Sequence, residues 1–258
     1  MNSDALFDLS GKVSVITGGN GGIGLGIAKG LASAGSDIVI AARNSEKTEL
    51  ALKEIEKSGV KCVGLVTNVQ NESEIFDMVR QVVEEFGRID VLVNNAGINI
   101  RKAPQEYTIE DWHLITEINL TGTFLPCREV YTHMASSGAG KIINIGSMTS
   151  IFGQDMTMPY SATKGGVVQL TKSLANAWAK DNIQVNAILP GWIETDLTKP
   201  LRTQGDFKER FDLISARIPQ GRWGLPEDMA GAAVFLASKA SDYVTGISIP
   251  VDGGYVAF

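Results

Sequence analysis

Short apolar runs, rich in β-branched residues, recur along the chain at 13–17, 37–41, 63–66, 90–94, 141–145, 184–189 and 247–251. Between them the apolar positions switch to helical spacing, near 22–34, 45–58, 71–86, 108–133, 159–180 and 226–238. Runs that are apolar at every position suit parallel strands buried on both faces. Helices between consecutive strands make β-α-β units, and repeated units cover both faces of one parallel sheet. The pattern therefore predicts an α/β fold: a doubly wound, seven-stranded parallel sheet forming a single domain over 1–258. In such a sheet ligands bind beyond the carboxyl ends of the strands. Asn71 with Glu74, and Thr108 with Asp111, read as capping boxes or their Asp variant. The stretch 199–218 is more polar and reads as a solvated pair of surface helices.

One junction carries more than topology. The run Val13–Ile16 leads straight into Thr17-Gly18-Gly19-Asn20-Gly21-Gly22-Ile23-Gly24, after which Ile23, Ile27, Leu31 and Ala34 recur at helical spacing. Gly18, Gly22 and Gly24 permit a tight turn and close backbone approach to a pyrophosphate. The helix that follows offers free N–H groups and a positive dipole end to the anion. An ordinary glycine-rich loop has the same composition, but the strand before and the helix after favour nucleotide binding. After the second strand the chain reads Ala41-Ala42-Arg43-Asn44-Ser45, with an arginine where many dinucleotide sites place a carboxylate. A guanidinium attracts a 2′-phosphate that a carboxylate would repel. NADP(H) is favoured, with NAD(H) as the alternative if Arg43 is a solvated charge or stacks on the adenine.

A second constellation suggests chemistry. Tyr160 and Lys164 are four apart, on one face of a helix. An ammonium beside a phenol favours the phenolate. Lowering the phenol from about 10 to about 7 requires roughly 4 kcal/mol. One cation about 4 Å away at an effective dielectric near 20 supplies a similar amount. A tyrosine tuned this way exchanges a proton with a substrate hydroxyl near neutral pH. A surface Tyr stacked on a Lys stem is the plainer reading of the pair alone.

Taken together, the motifs resemble those of the short-chain dehydrogenase/reductase family, in order and over nearly the whole chain, from about Leu9 to Phe258. They are T-G-x-x-x-G-I-G at Thr17–Gly24, N-N-A-G at Asn94–Gly97, Asn119 in a helix, I-N-I-G-S at Ile143–Ser147, Y-S-A-T-K at Tyr160–Lys164, P-G-W-I-E-T at Pro190–Thr195 and V-D-G-G at Val251–Gly254. The resemblance implies a Rossmann fold and a set of roles. Tyr160 would be the acid/base, Lys164 would lower its pKa and bind the nicotinamide ribose, Ser147 would hold the substrate oxygen, and Asn119 would bind a water linking Lys164 to solvent. Gly18, Asn20, Gly22, Ile23 and Gly24 would receive the pyrophosphate side, and Arg43 with Asn44 the adenosine phosphate. Asn68 and Val69 would flank the adenine, Asn95, Ala96 and Gly97 the adenosine ribose, and Pro190, Gly191, Ile193 and Thr195 the nicotinamide carboxamide. Asn68 stands where the family often has Asp, and Gly146 where Ser is frequent. The resemblance also implies that 199–218 is a lid over the substrate, and that the chain forms a homotetramer. Its helices 108–133 and 159–180 would pair across one two-fold, and 226–238 with the last strand across another. The apolar end Tyr255-Val256-Ala257-Phe258 would be buried at a subunit contact.

Composition narrows the remaining classes. The chain has 258 residues, 44% of them hydrophobic, and a net charge of −6, enough for a sizeable core. It has no apolar run of membrane-spanning length and no signal-peptide pattern at its start. The acidic balance and the lack of a basic cluster argue against nucleic acid. Cys62 and Cys127 fall in a predicted strand and helix, where small apolar packing explains them, and fit a reducing cytoplasm. His113 and His133 are too isolated for a metal site.

The substrate is a small molecule drawn from fewer signals. Its contacts would come from the loop after Gly97, the segment 148–158 and the residues from Trp192 onward. Arg101 or Lys102 in the first could bind a carboxylate, or be surface charges; Gln154 in the second suits a polyol better than an acyl chain. N-N-A-G-x-x-x-R, R-I-P-x-G-R-W-G at Arg217–Gly224 and the terminal V-D-G-G-Y resemble the sugar-acid branch of the family. The expectation is an NADP(H)-dependent oxidoreductase acting on a gluconate-like sugar acid, with Arg101, Ser147, Gln154 and Trp192 at the substrate. A 3-oxoacyl thioester or broad carbonyl reductase is the alternative enzyme. A non-catalytic nucleotide-binding sensor is the alternative of another class.

Overall fold

A computed structural model describes residues 3–203 and 208–257. Seven strands, β1 Val13–Thr17, β2 Asp37–Ala42, β3 Cys62–Val66, β4 Val91–Asn94, β5 Gly140–Ile145, β6 Ile183–Pro190 and β7 Ser248–Val251, form one parallel sheet. Their spatial order is β3-β2-β1-β4-β5-β6-β7. The helices are α1 Ser3–Phe7, α2 Gly22–Ser33, α3 Ser45–Ile55, α4 Glu72–Phe86, α5 Ile109–Thr116, α6 Gly122–Ser137, α7 Met158–Trp178, α8 Lys199–Thr203, α9 Lys208–Ala216 and α10 Ala230–Ala237. This is the doubly wound Rossmann arrangement that the apolar periodicity predicts.

β1, β2, β4 and β6 are buried at nearly every residue. One face of the sheet packs its isoleucines and valines on Ile27 and Leu31 of α2 and Leu236 of α10. The other packs on Ile75, Met78 and Val82 of α4 and Leu125, Val130 and Met134 of α6. A third apolar cluster lies off the sheet and joins Met148, Trp192, Leu201, Ile214, Ile218, Trp223 and Tyr255. Among the described residues no helix is long and apolar enough to cross a membrane.

Four expectations change. The continuous helix over 108–133 is interrupted: a π-helical turn spans 117–121 between α5 and α6. The turn brings Asn119 inward, where its amide donates to the Ile98 carbonyl at 2.9 Å and accepts from the Ile98 N–H at 2.9 Å. Single π turns often mark functional sites, because the extra residue re-aims one side chain. The Thr108–Asp111 box forms in full, but Glu74 returns to the Asn68 N–H and the Asn71 amide rather than the Asn71 N–H. Tyr255, expected at a subunit contact, is buried within its own chain, with Arg217 stacked 4.5 Å above its ring and Trp192 beside it. The anticipated lid is not a solvated pair: Leu201, Phe211, Ile214 and Ile218 turn into the third cluster. Residues 204–207 of that stretch, and Phe258, lie outside the described residues.

Candidate active site

β1 and β4 are neighbours in space, and the sheet order reverses between them, so their carboxyl ends open a crevice. There Gly18 holds φ +63° and Gly22 φ +50°, a backbone that L side chains rarely adopt. Gly24 is needed for space: a Cβ there would lie 2.5 Å from Asn95 Nδ2 and 2.6 Å from the Gly18 carbonyl. No side chain caps the N-terminus of α2, leaving its first amides to a ligand. β4 is tied to this turn. Asn95 Nδ2 donates to the Thr17 and Gly18 carbonyls, and the Asn95 and Ala96 N–H groups donate to Thr17 Oγ1.

A groove of about 390 Å³ runs from this turn across the strand ends. Arg43, Asn44, Asn68 and Val69 line its first part, Asn95, Ala96, Gly97, Pro190, Gly191, Ile193 and Thr195 its middle, and Ser147, Tyr160, Lys164, Arg101, Gln154 and Trp192 its far part. Two residues expected there do not line it. Gly24 lies behind the turn. Asn119 is fully buried one layer back, with Oδ1 3.2 Å from where a Cβ on Gly97 would sit. An elongated groove with an uncapped helix end and a glycine cradle fits a dinucleotide.

Ser147 follows β5 after Gly146, where a Cβ would strike Leu189 at 2.4 Å. The loop is pinned to α7 because Ser150 Oγ donates to the Lys164 carbonyl at 2.7 Å. Ser147 Oγ accepts from the Thr149 N–H at 3.1 Å and from Thr149 Oγ1 at 3.0 Å, and its hydroxyl meets the Tyr160 phenol. Tyr160 and Lys164 sit one turn apart in α7, as their spacing predicts, with Nζ 5.7 Å from the ring centroid.

The electrostatics differ from the expectation. Burial pushes the Tyr160 phenol up, opposed by the Ser147 hydroxyl and the Arg101 guanidinium. The ammonium of Lys164 is not among the groups that pull it down; it donates to the Ile145 carbonyl at 2.6 Å. Burial itself pushes Lys164 down to about 8. Arg101 is also pushed down by burial, with the nearby Arg210 adding to it, and it donates to the Leu197 carbonyl at 3.2 Å. Lys102 is engaged instead by Asp111 at 2.5 Å. Trp192 is buried, its ring tilted against Trp223 with centroids 5.3 Å apart.

Thr149, Lys47 and Asp196 are among the groove residues that sequence reasoning missed. Thr149 was signalled by the hydroxyl run at 147–150. Lys47 and Asp196 carried no signal beyond surface charge. Cys127 is fully buried, its sulfur accepting from Asn94 Nδ2 at 3.1 Å, and burial pushes its thiol up to about 12.

A family model described as Enoyl-(Acyl carrier protein) reductase, of the short-chain dehydrogenases, matches residues 18–256. The chain belongs to the short-chain dehydrogenase/reductase family. It is 44% identical to the 2-dehydro-3-deoxy-D-gluconate 5-dehydrogenase of Formosa agariphila, over 98% of this chain and 95% of that one. It is 42% identical to the 5-keto-D-gluconate 5-reductase of Escherichia coli K12, over 96% and 97%. A crystal structure of a gluconate 5-dehydrogenase from Burkholderia cenocepacia in complex with NADP and tartrate superposes with a TM-score of 0.94 at 39% identity, covering 100% of both chains.

Proposed function

We propose that this protein is an NADP(H)-dependent oxidoreductase that interconverts a secondary alcohol and a ketone on a sugar acid of the gluconate/5-ketogluconate type. Arg101 is the observation that carries the acid. Its guanidinium lines the groove close enough to Tyr160 to pull the phenol down, so a carboxylate held there would bring the rest of a short chain to the reacting hydroxyls. Gln154 lines the same part and offers both a donor and an acceptor to substrate hydroxyls. The names of the relatives support the substrate class, as does tartrate, a small hydroxy acid, beside NADP in the Burkholderia enzyme. Arg43, exposed at the groove rim with no carboxylate in its loop, supports the phosphorylated cofactor.

When bound, the dinucleotide supplies hydride to the carbonyl carbon or accepts it from the alcohol carbon. The protein supplies the rest. In reduction Tyr160 Oη donates its proton to the carbonyl oxygen, and burial keeps that proton on the phenol until it is needed. Ser147 Oγ already accepts two hydrogen bonds from Thr149, so its own proton is free to turn from Tyr160 to the substrate oxygen. Lys164, buried and pushed down to about 8, returns a proton to Tyr160, and Asn119, which with the Lys164 ammonium lies behind Gly97, would bind a water that links Lys164 to solvent.

The proposal extends to a homotetramer in the cytoplasm. Ile109, Trp112 and Leu114 of α5 and Phe124 of α6 are exposed apolar side chains that a partner copy would cover. Two free thiols suit a reducing compartment. Sedimentation as a monomer at micromolar concentration would rule the tetramer out. The reaction is tested by following NADPH and NADH consumption with 5-keto-D-gluconate, an acetoacetyl thioester and an aryl ketone. Turnover of the keto acid with NADPH alone supports the reading; an inert keto acid beside a consumed thioester moves the protein to the ketoreductases.

A further inference from the structure

Lys47 is the third residue of α3 and belongs to none of the motifs above. Its side chain reaches back over the glycine turn. A Cβ on Gly21 would lie 2.7 Å from both its Cε and its Nζ. From there Nζ pairs with Asp196 Oδ2 at 2.9 Å. Asp196 follows Thr195, whose Cγ2 lies 3.2 Å from where a Cβ on Gly22 would be. Gly21 and Gly22 are the cap and first residue of α2, whose amides no side chain caps. A cation, an anion and an uncapped helix end therefore meet over one stretch of the groove, and both charged residues line it.

The pair is exposed, at 46% for Lys47 and 82% for Asp196, and such pairs add little to folding stability. Its position matters more. It spans from α3 to the segment after β6, crossing the turn that receives a phosphate in a dinucleotide fold. A diphosphate placed on the α2 amides would offer the ammonium two negative charges in a less hydrated setting than the exposed Asp196 carboxylate. We propose that Lys47 binds the diphosphate of the dinucleotide, and that Asp196 holds the ammonium in place over the turn and exchanges it for the incoming phosphate. This rests on the dinucleotide reading of the groove and assigns Lys47 a task separate from Arg43. Arg43 discriminates the 2′-phosphate, whereas Lys47 serves a group that NADPH and NADH share.

Isothermal titration of NADPH and NADH into the cofactor-free protein tests this, using wild type, Lys47→Gln, Lys47→Arg, Asp196→Asn and the Lys47→Gln/Asp196→Asn double variant. Melting curves without cofactor verify that each variant is folded. Lys47→Gln is expected to weaken both cofactors alike, by about three- to tenfold, the scale of one charged contact. Lys47→Arg is expected to restore most of that loss. Asp196→Asn is expected to tighten both cofactors, with a smaller gain where Lys47 is already absent. A Lys47→Gln protein that binds both cofactors within twofold of wild type overturns the proposal, as does a loss confined to NADPH. An undiminished Asp196→Asn gain in the double variant overturns the exchange, since it would mean plain charge repulsion. Wild type that binds neither dinucleotide overturns the reading of the groove itself.

Discussion

At the Arg43 end of the groove the walls are mainly backbone: a glycine turn, an uncapped helix start and strand ends tied by Asn95 and Thr17. At the Arg101 end they are side chains gathered from far apart in the chain: Arg101, Met148, Gln154 and Trp192 line the groove, and Ile214, Trp223 and Tyr255 share a buried cluster with Met148 and Trp192. The first end is built within about 80 residues of contiguous β-α-β chain, and its glycine turn faces the diphosphate that every such dinucleotide has. The second depends on packing between the loop after β5, the segment after β6, α9 and the C-terminal residues. A site divided this way can keep its cofactor while its substrate changes, because a substitution in the aromatic cluster reaches few backbone groups of the turn.

Tyr160 stands where the two ends meet, and removing its hydroxyl should have the largest effect. Tyr160→Phe is expected to lower kcat about a thousandfold, within the range of a lost general acid, while the dissociation constant for cofactor stays within twofold. Turnover near wild type would break the division of labour outright. Next comes Trp223→Ala. Truncating a buried tryptophan costs about 3 kcal/mol, and here the loss should stay in the third cluster. Hydrogen exchange should accelerate in α9 and leave β1 and β4 protected; uniform acceleration would show that the two ends unfold as one unit.

Lys164→Met sharpens the comparison through pH. The folded pKa of about 8 lies below the ordinary lysine value, so at pH 7 the fold carries a buried charge it disfavours. That penalty is fully present below pH 8 and fades as pH rises from 8 toward 10.5, where the folded lysine is already neutral. The methionine variant should therefore be more stable than wild type at pH 7, by up to about 3 kcal/mol less what the Ile145 hydrogen bond contributes. Its advantage should vanish near pH 10, and its turnover should be lost. Melting temperatures across that range check the sign; an advantage that grows with pH would contradict it. The smallest effect is expected of Arg101→Gln. It should lower kcat/KM for a keto acid by about thirtyfold, the scale of a charge-assisted contact, and leave an uncharged ketone almost untouched. Equal losses on both substrates would make Arg101 a support for Tyr160 rather than a carboxylate anchor.

Much of this was legible in the chain. Apolar runs placed all seven strands within a residue or two; in the inner strands burial on both faces leaves an unbroken hydrophobic signature, and the edge strands β3 and β7 keep apolar runs although they are only partly buried. The glycine turn and the Tyr160–Lys164 face were equally direct, since local backbone geometry makes both. Legibility failed where a distant partner decided the outcome. Nothing in 108–133 announces the π turn at 117–121, because it forms to let Asn119 reach Ile98. Lys164 has the spacing to act on Tyr160, yet its ammonium is taken by a strand carbonyl and the phenol rises with burial. Tyr255, expected at a subunit contact, becomes a core residue of its own chain under Arg217.

The sequence by itself determined the sheet, the cofactor cradle and which side chains could carry the proton, since these depend on hydrophobic period, glycine backbone freedom and residue type at short spacing. Tertiary structure alone decided which cation faces the phenol, how the substrate end is walled, and that Lys47 reaches Asp196 across the glycine turn. Burial and long-range contact set those outcomes, and neither is a property of any short stretch of chain.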